Sequence, residues 1–147
     1  MLWEESVALR RAIGDRFLLG YSLRRLAEIA LRQQDYAAAE ASYREAHGFL
    51  MDAGGKAGIA ASLAGFAGLA LAQGQIIPAV HLFGAVDSLL QTLAWRLPPA
   101  DNKAYEQNLA SARAQLTDAA FQTAWDEGRA LSTEQAIRYA LSPNAAK

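Results

Sequence analysis

The sequence predicts an all-α protein, built as a solenoid of stacked helix pairs that ends in a C-terminal helical cap. Its 147 residues include 33 Ala and 20 Leu but only 9 Val and Ile together and 4 Thr. Strong helix formers therefore far outnumber the β-branched residues that strands favour. The sequence also matches itself after a shift of 40 residues, with apolar residues at helical spacing inside each unit. A fixed period of about 20 to 50 residues is typical of solenoids.

The repeat rests on identities along a whole unit. The identical pairs include Gly14 and Gly54, Ser22 and Ser62, Leu23 and Leu63, Ala27 and Ala67, Ala30 and Ala70, Leu31 and Leu71, Gln33 and Gln73, and Ala39 and Ala79. One step further back, Trp3 takes the place of Tyr43 and Phe83. We therefore expect the first unit to be partial.

Turn residues divide the repeat region into helices. Asp15 is suited to cap a helix, Gly54 and Gly55 permit a left-handed turn, Gly74 ends a helix, and Pro78 suits a first helical turn. The predicted helices cover residues 2–13, 16–33, 36–52, 56–73 and 77–94.

The cap begins where Pro98 and Pro99 stop the periodic pattern. Three further helices are predicted over residues 101–116, 118–127 and 133–141, and Ser132 with Gln135 forms a capping-box pattern for the last one. We therefore divide the chain into a repeat region, residues 1–97, and a cap, residues 98–147. The expected apolar anchors of the cap are Phe121, Trp125, Leu131, Ile137 and Tyr139.

The repeat region resembles the tetratricopeptide repeat (TPR) family. The first unit carries Leu23-x2-Leu26-Ala27-x2-Ala30-x5-Tyr36-x2-Ala39-x3-Tyr43-x2-Ala46, and the second carries Leu63-x2-Phe66-Ala67-x2-Ala70-x5-Ile76-x2-Ala79-x3-Phe83-x2-Val86. The resemblance covers residues 1–94 and implies a right-handed superhelical solenoid of antiparallel helix pairs. The sequence departs from the family in its longer period and in Ala30 and Ala70, where tyrosine is usual.

The longer repeats and the tail from Ala120 to Ala136 are similar to the C-terminal part of bacterial ATPase-coupled transcriptional regulators. This resemblance implies a non-enzymatic protein-interaction or sensor module of a larger cytoplasmic signalling or transcriptional regulator, with ATPase and DNA-binding parts upstream. The implied partner is a protein, a peptide or an adjacent domain. The alternative is a small-molecule effector site in the concave groove of the solenoid.

Composition further limits the classes of molecule that we expect the chain to bind. A net charge of −1 and a pI near 6.1 give no broad attraction for nucleic acid or anionic lipid. The N-terminal residues lack the apolar run of a secretory signal, so we expect a cytoplasmic protein. The stretch Ala57–Val86 contains no Asp, Glu, Lys or Arg, but it is interrupted by Gln73, Gly74 and Pro78. This interruption favours buried helices over a membrane span.

The sequence offers little for catalysis, and we predict that the protein is not an enzyme. His47 and His81 lie 34 residues apart, which predicts no shared metal site, and the chain has no cysteine. No Gly-x-Ser-x-Gly elbow supports a nucleophile. Gly54-Gly55-Lys56 lacks the spacing of a phosphate-binding loop. We therefore assign no catalytic residue, no cofactor and no metal. An unrecognised hydrolase is the remaining enzymatic alternative.

Arginines are concentrated in the first third of the chain. They are Arg10, Arg11, Arg16, Arg24, Arg25 and Arg32, and acidic residues in the same segment offset their charge. We interpret them as part of a solvated helix face with ion pairs rather than as a nucleic-acid track.

The two units differ most on one helix face. Arg24, Arg25, Glu28 and Arg32 of the first unit correspond to Ala64, Gly65, Gly68 and Ala72 of the second. Two glycines inside a helix are unfavourable unless they permit close packing. The predicted interaction face is therefore Ala61, Ala64, Gly65, Gly68 and Ala72, covered either by the cap or by a second copy or partner helix.

Overall fold

The computed structural model describes residues 2–13, 16–53, 55–97 and 99–142, and this part of the chain is helical throughout, with no strand. It contains eight helices: α1 Leu2–Ile13, α2 Arg16–Arg32, α3 Tyr36–Ala53, α4 Gly55–Ala72, α5 Ile76–Leu93, α6 Pro99–Ala114, α7 Asp118–Arg129 and α8 Thr133–Leu141. The all-α prediction is confirmed, and each predicted helix is present with ends that agree within two residues.

The largest differences lie in the cap. Helix α6 begins at Pro99 rather than at residue 101, because proline, with its fixed φ and no N–H, fits the first helical position. Helix α7 continues two residues beyond the prediction, to Arg129. The capping box of α8 is present, since Ser132 and Gln135 exchange the two expected hydrogen bonds.

The turns at the ends of α2 and α4 have the same geometry. Gln34 and Gly74 both have positive φ, 60° and 79°. In each turn the N–H of the following residue donates a hydrogen bond to the carbonyl oxygen five residues earlier, from Asp35 to Ala30 and from Gln75 to Ala70. This is the Schellman arrangement. The predicted capping role of Asp15 and the position of Gly14 lie outside the described residues, as does Gly54.

Helices α4 and α5 form the centre of the structure. Helix α4 packs on α3, α5 and α2, and α5 packs on α4 and α7. The repeat pattern predicts thirteen core positions, and all are buried except the half-buried Leu26 and Tyr36. The others are Leu23, Ala27, Ala30, Ala39, Tyr43, Leu63, Phe66, Ala67, Ala70, Ala79 and Phe83. Small residues such as Ala27 and Ala67, with no exposed surface, allow this close packing.

The cap is fixed to the repeats mainly through α7. A methyl group added at Gly84 would meet the backbone carbonyl of Trp125, and one added at Gly128 would meet that of His81. The α5 and α7 backbones therefore touch. Phe121 is fully buried, whereas Trp125, Leu131, Ile137 and Tyr139 are half-buried.

Two of the described helices, α4 and α5, are long and apolar enough to cross a membrane by length and composition. The central helices of a packed fold meet the same criteria, and most of α4 is buried against neighbouring helices.

Candidate functional site

The uncharged face of α4 lies at the centre of the candidate site. Its five predicted residues have different environments: Ala61, Gly65 and Gly68 are buried, Ala64 is half-buried and Ala72 is exposed. A methyl group at Gly65 would approach the Tyr43 ring of α3 to 2.5 Å. A methyl group at Gly68 would lie 3.2 Å from Asn108 Nδ2 of α6. Helix α3 therefore closes one part of this face, and α6 approaches the next part.

Helix α6 does not close onto α4, and a cavity of about 770 Å³ remains between α2, α4 and α6. The lining contains both sets of residues that distinguish the two repeats: Arg24, Arg25, Glu28 and Arg32 from α2, and Ala64, Gly65, Gly68 and Ala72 from α4. Corresponding faces of the two repeats therefore line the same cavity. The first repeat supplies charged side chains, and the second supplies small, uncharged residues.

Helix α6 forms a further wall of the cavity, which is also lined by Trp3 of α1 and Tyr43 of α3. It contributes the polar side chains of Gln107, Asn108, Ser111 and Gln115. Tyr105, one turn earlier, donates a hydrogen bond from its hydroxyl to the Phe83 carbonyl oxygen of α5 at 3.1 Å. Burial of the Tyr105 ring, followed by the nearby Asp87 carboxylate, raises the pKa of that hydroxyl, so it stays protonated as a donor.

A charge cluster lies where α2 meets the start of α6. Arg24 Nη2 donates a hydrogen bond to Asp101 Oδ1 at 3.3 Å, and Arg25 Nη1 forms an ion pair with the same oxygen at 3.1 Å. The Tyr21 hydroxyl lies 3.5 Å from the other Asp101 oxygen. Asp101 is thus shared by two arginines, and it is buried.

Several neighbouring groups balance the positive charge of Arg25. It bonds both oxygens of Glu28, at 3.1 and 2.9 Å, and donates to the Tyr21 hydroxyl at 2.6 Å. Burial on its own would lower the pKa of Arg25, but Glu28, Asp101 and Tyr21 together outweigh it and raise the pKa above its ordinary value. The guanidinium also lies over the Tyr21 ring, 4.8 Å from its centroid.

Arg24 is less completely satisfied. It is 3% exposed, and its Nε and Nη1 atoms have no hydrogen-bond partner among the described residues. A buried donor without a partner costs about 1–3 kcal/mol, and such groups are uncommon in folded proteins. The unpaired nitrogens belong to a residue in the wall of the cavity.

The interpretation of the α2 charges as a solvated face is wrong for Arg24, and Arg25 and Glu28 are half-buried. The physical reason is that Arg24 donates a hydrogen bond to Asp101, which lies in the first turn of α6, 77 residues further along the chain. Arg32 is exposed, as a solvated face requires. The side chains of Arg10, Arg11 and Arg16 lie outside the described part of the chain.

Two histidine pairs lie away from the cavity. His47 Nδ1 is 2.7 Å from Ser62 Oγ, and His81 Nδ1 is 2.9 Å from the Tyr139 hydroxyl. Ser62 is 2% exposed and does not line the cavity, so the His47 pair is a hydrogen bond of the core. Burial, followed by the positive charge of Arg44, lowers the pKa of His47.

Among the residues that the structure describes, no group of three or more His, Asp or Glu side chains is arranged to hold a metal ion. No protein-family model matches this chain, and comparison with curated proteins and with solved structures gives no significant match.

Proposed function

We propose that this chain is a TPR-like sensor module, without catalytic activity of its own, that binds a small molecule in the cavity between α2, α4 and α6. The main support for the proposal is that the charged face of α2 and the corresponding face of α4, which consists of small residues, line the same cavity. Ligand pockets typically occupy about 300–1,000 Å³ and combine apolar surface with a few convergent polar groups. The cavity fits both criteria.

The repeat geometry supports the TPR-like part of the proposal. The Schellman turns at Gln34 and Gly74 are 40 residues apart, which is the period of the sequence repeat. A connection of three residues reverses the chain between α2 and α3 and again between α4 and α5. Stacking such pairs in a right-handed solenoid would place the first helix of each pair, α2 and α4, along one groove.

The position of α6 suggests how binding is sensed. Near the cavity, the Arg24–Asp101 and Tyr105–Phe83 hydrogen bonds join helix α6 to the repeats, and Leu109 and Ala112 pack into hydrophobic clusters that include residues of the repeats. A ligand between α2, α4 and α6 would touch all three helices, and it would favour the arrangement in which α6 stays docked. The resemblance of the tail implies that the chain is part of a larger cytoplasmic regulator. There, the change in the position of α6 would be transmitted to adjacent domains.

A cavity-filling variant tests the proposal. Ala64→Met places a longer side chain in the floor of the cavity, and Ala37→Met is the matched control on the exposed side of α3. We expect at least one compound of a metabolite panel to raise the Tm of the parent and of the control, but not of Ala64→Met. If no compound separates Ala64→Met from the control, the cavity is not the binding site.

A second candidate function, docking of a protein partner, is favoured by α1. Leu2 and Leu9 are 80% and 64% exposed, and Trp3 is partly exposed beside them. A second copy of the chain would bury these side chains. Leu9→Glu then lowers the molar mass in light scattering, whereas an unchanged mass excludes self-association through α1.

A further inference from the structure

We propose that the ligand of this cavity is a small organic monoanion, whose carboxylate lies against Arg24 and whose apolar body rests on the small residues of α4. This inference rests on the proposed function, because it names the chemical class of the ligand for that same cavity.

The charges around the cavity are unbalanced. Three arginines, Arg24, Arg25 and Arg32, line it together with two carboxylates, Glu28 and Asp101. One positive charge remains. A single negative charge on a ligand would neutralise it, whereas a dianion or trianion would add repulsion from the two carboxylates.

The distribution of hydrogen bonds assigns the position of that charge. Arg25 is held by Glu28 and Tyr21 in addition to Asp101. Among the described residues, the hydrogen-bond acceptor of Arg24 is Asp101, at 3.3 Å, which it shares with Arg25, and its guanidinium carbon lies 5.9 Å from the centroid of the Tyr21 ring. Within that part of the chain its Nε and Nη1 have no hydrogen-bond partner, although the side chain is only 3% exposed. A carboxylate is the acceptor that a guanidinium binds best in such a place.

The opposite side of the cavity defines the rest of the ligand. Ala64 and Gly68 lie on this side with Leu31 and Leu71, and the Tyr43 ring covers Gly65. Apart from the Tyr43 hydroxyl, these side chains carry no hydrogen-bonding group, and the small residues leave room for an aliphatic or aromatic body. Asn108, next to Gly68, and the other polar side chains of the α6 wall can contact polar substituents.

Matched pairs of a carboxylate and its neutral amide test the charge requirement. Hexanoate with hexanamide, and benzoate with benzamide, have the same shape and differ in charge. We expect each carboxylate to bind about tenfold more tightly than its amide, because a charge-assisted hydrogen bond is lost with the amide. In nitrogen-15 spectra of arginine side chains, the carboxylates should shift the Nε–H signal of Arg24.

Variants separate the charge from the shape of the cavity. The double variant Arg24→Gln with Asp101→Asn removes both members of the buried pair, so neither is left as an unpaired charge. It should bind the carboxylate and the amide equally. Arg138→Gln, on the exposed surface of α8, removes one positive charge elsewhere and should bind as the parent does. Ala64→Met should bind neither probe.

The outcomes distinguish this inference from the proposed function. Equal binding of carboxylate and amide to the parent, lost in Ala64→Met, overturns the anion but leaves the cavity as the site. The anion is also overturned if both carboxylates leave the Arg24 signal unchanged at millimolar concentrations, or if inorganic phosphate shifts it more strongly than they do. A compound that binds Ala64→Met as tightly as the parent contradicts the proposed function instead.

Discussion

Two of the interfaces between the cap and the repeats are built in opposite ways. Between α5 and α7, Gly84 and Gly128 bring two backbones into contact, with carbonyl oxygens where a methyl group would have to lie. Between α4 and α6, Gly68 faces the tip of the Asn108 side chain, and a cavity remains beside it. Glycine therefore serves close packing in one interface and open space in the other. The comparison separates the part that fixes the cap from the part available to a ligand.

The strongest test of this comparison is Gly128→Ala in the α5–α7 interface. The added methyl group would overlap the His81 carbonyl, which is backbone and cannot turn away, so α7 must shift. We expect a loss of about 3 kcal/mol in the free energy of unfolding, measured by urea denaturation. Gly48→Ala is the matched control, because nothing lies within 4 Å of the added methyl group on α3. It should gain about 0.5–1 kcal/mol, and equal effects of the two variants would contradict the interpretation.

The next effect belongs to the charge cluster that joins α2 to α6. Asp101→Asn removes the carboxylate that Arg24 and Arg25 share, and it leaves Arg24 buried without its ionic partner. We expect a loss of about 2 kcal/mol at neutral pH. Glu106→Gln, on the exposed side of the same helix, should change stability by less than about 0.5 kcal/mol. A loss no larger than that of the control would mean that the buried pair does not hold α6.

Two neighbouring glycines of α4 sharpen the comparison within one helix. Gly65→Ala would overlap the buried Tyr43 ring, so we expect a loss of about 1–2 kcal/mol. Gly68→Ala meets only the end of the Asn108 side chain, which can move, and the better helix propensity of alanine should yield a gain of about 0.5 kcal/mol. Thermal or urea unfolding of both variants measures the difference. If Gly68→Ala is as damaging as Gly65→Ala, the α4–α6 interface is tightly packed.

The smallest expected effect is the pH dependence that His81 adds to the attachment of α8. Burial lowers the pKa of His81, and the Glu127 carboxylate, 4.0 Å away, only partly opposes it. The folded chain therefore binds this proton less readily than the unfolded chain does. The stabilisation is fully present above the unfolded pKa of about 6.5 and is lost as the pH falls below that value.

Urea unfolding at about pH 7 and about pH 5 measures this loss. In His81→Gln, which keeps a polar partner for Tyr139, the decrease should be smaller than in the parent. The lowered pKa of His47 contributes in the same direction, so part of the decrease should remain. An identical decrease in both proteins would show that His81 does not contribute.

The sequence was sufficient to predict the helices because each helix is marked by residues that lie close to it in the chain. Periodic apolar residues, Pro99 and the Ser132–Gln135 capping box each act within a few residues of the feature that they define. The buried core followed for the same reason, since burial of Leu63 or Phe83 depends on the face of a helix and not on its partner.

The site itself depended on contacts that no local pattern contains. Arg24 is buried because the first turn of α6 places Asp101 above it, and α6 lies outside the repeat register. The comparison of the two repeats identified the positions on α2 and α4 that line the cavity, but it assigned the charged set to solvent. Gly84 and Gly128 likewise became meaningful only when α5 and α7 were placed side by side.

The turns at Gln34 and Gly74 show that two different residues can form the same backbone geometry. Their backbone hydrogen bonds are the same, yet one uses glycine at the left-handed position and the other uses glutamine. A left-handed non-glycine residue is disfavoured by about 1 kcal/mol, so glycine is not obligatory at this turn. The same turn geometry is thus formed with either residue, although glycine suits it better. In this chain, the spacing of the turn hydrogen bonds therefore marks the repeat even where the turn residues differ.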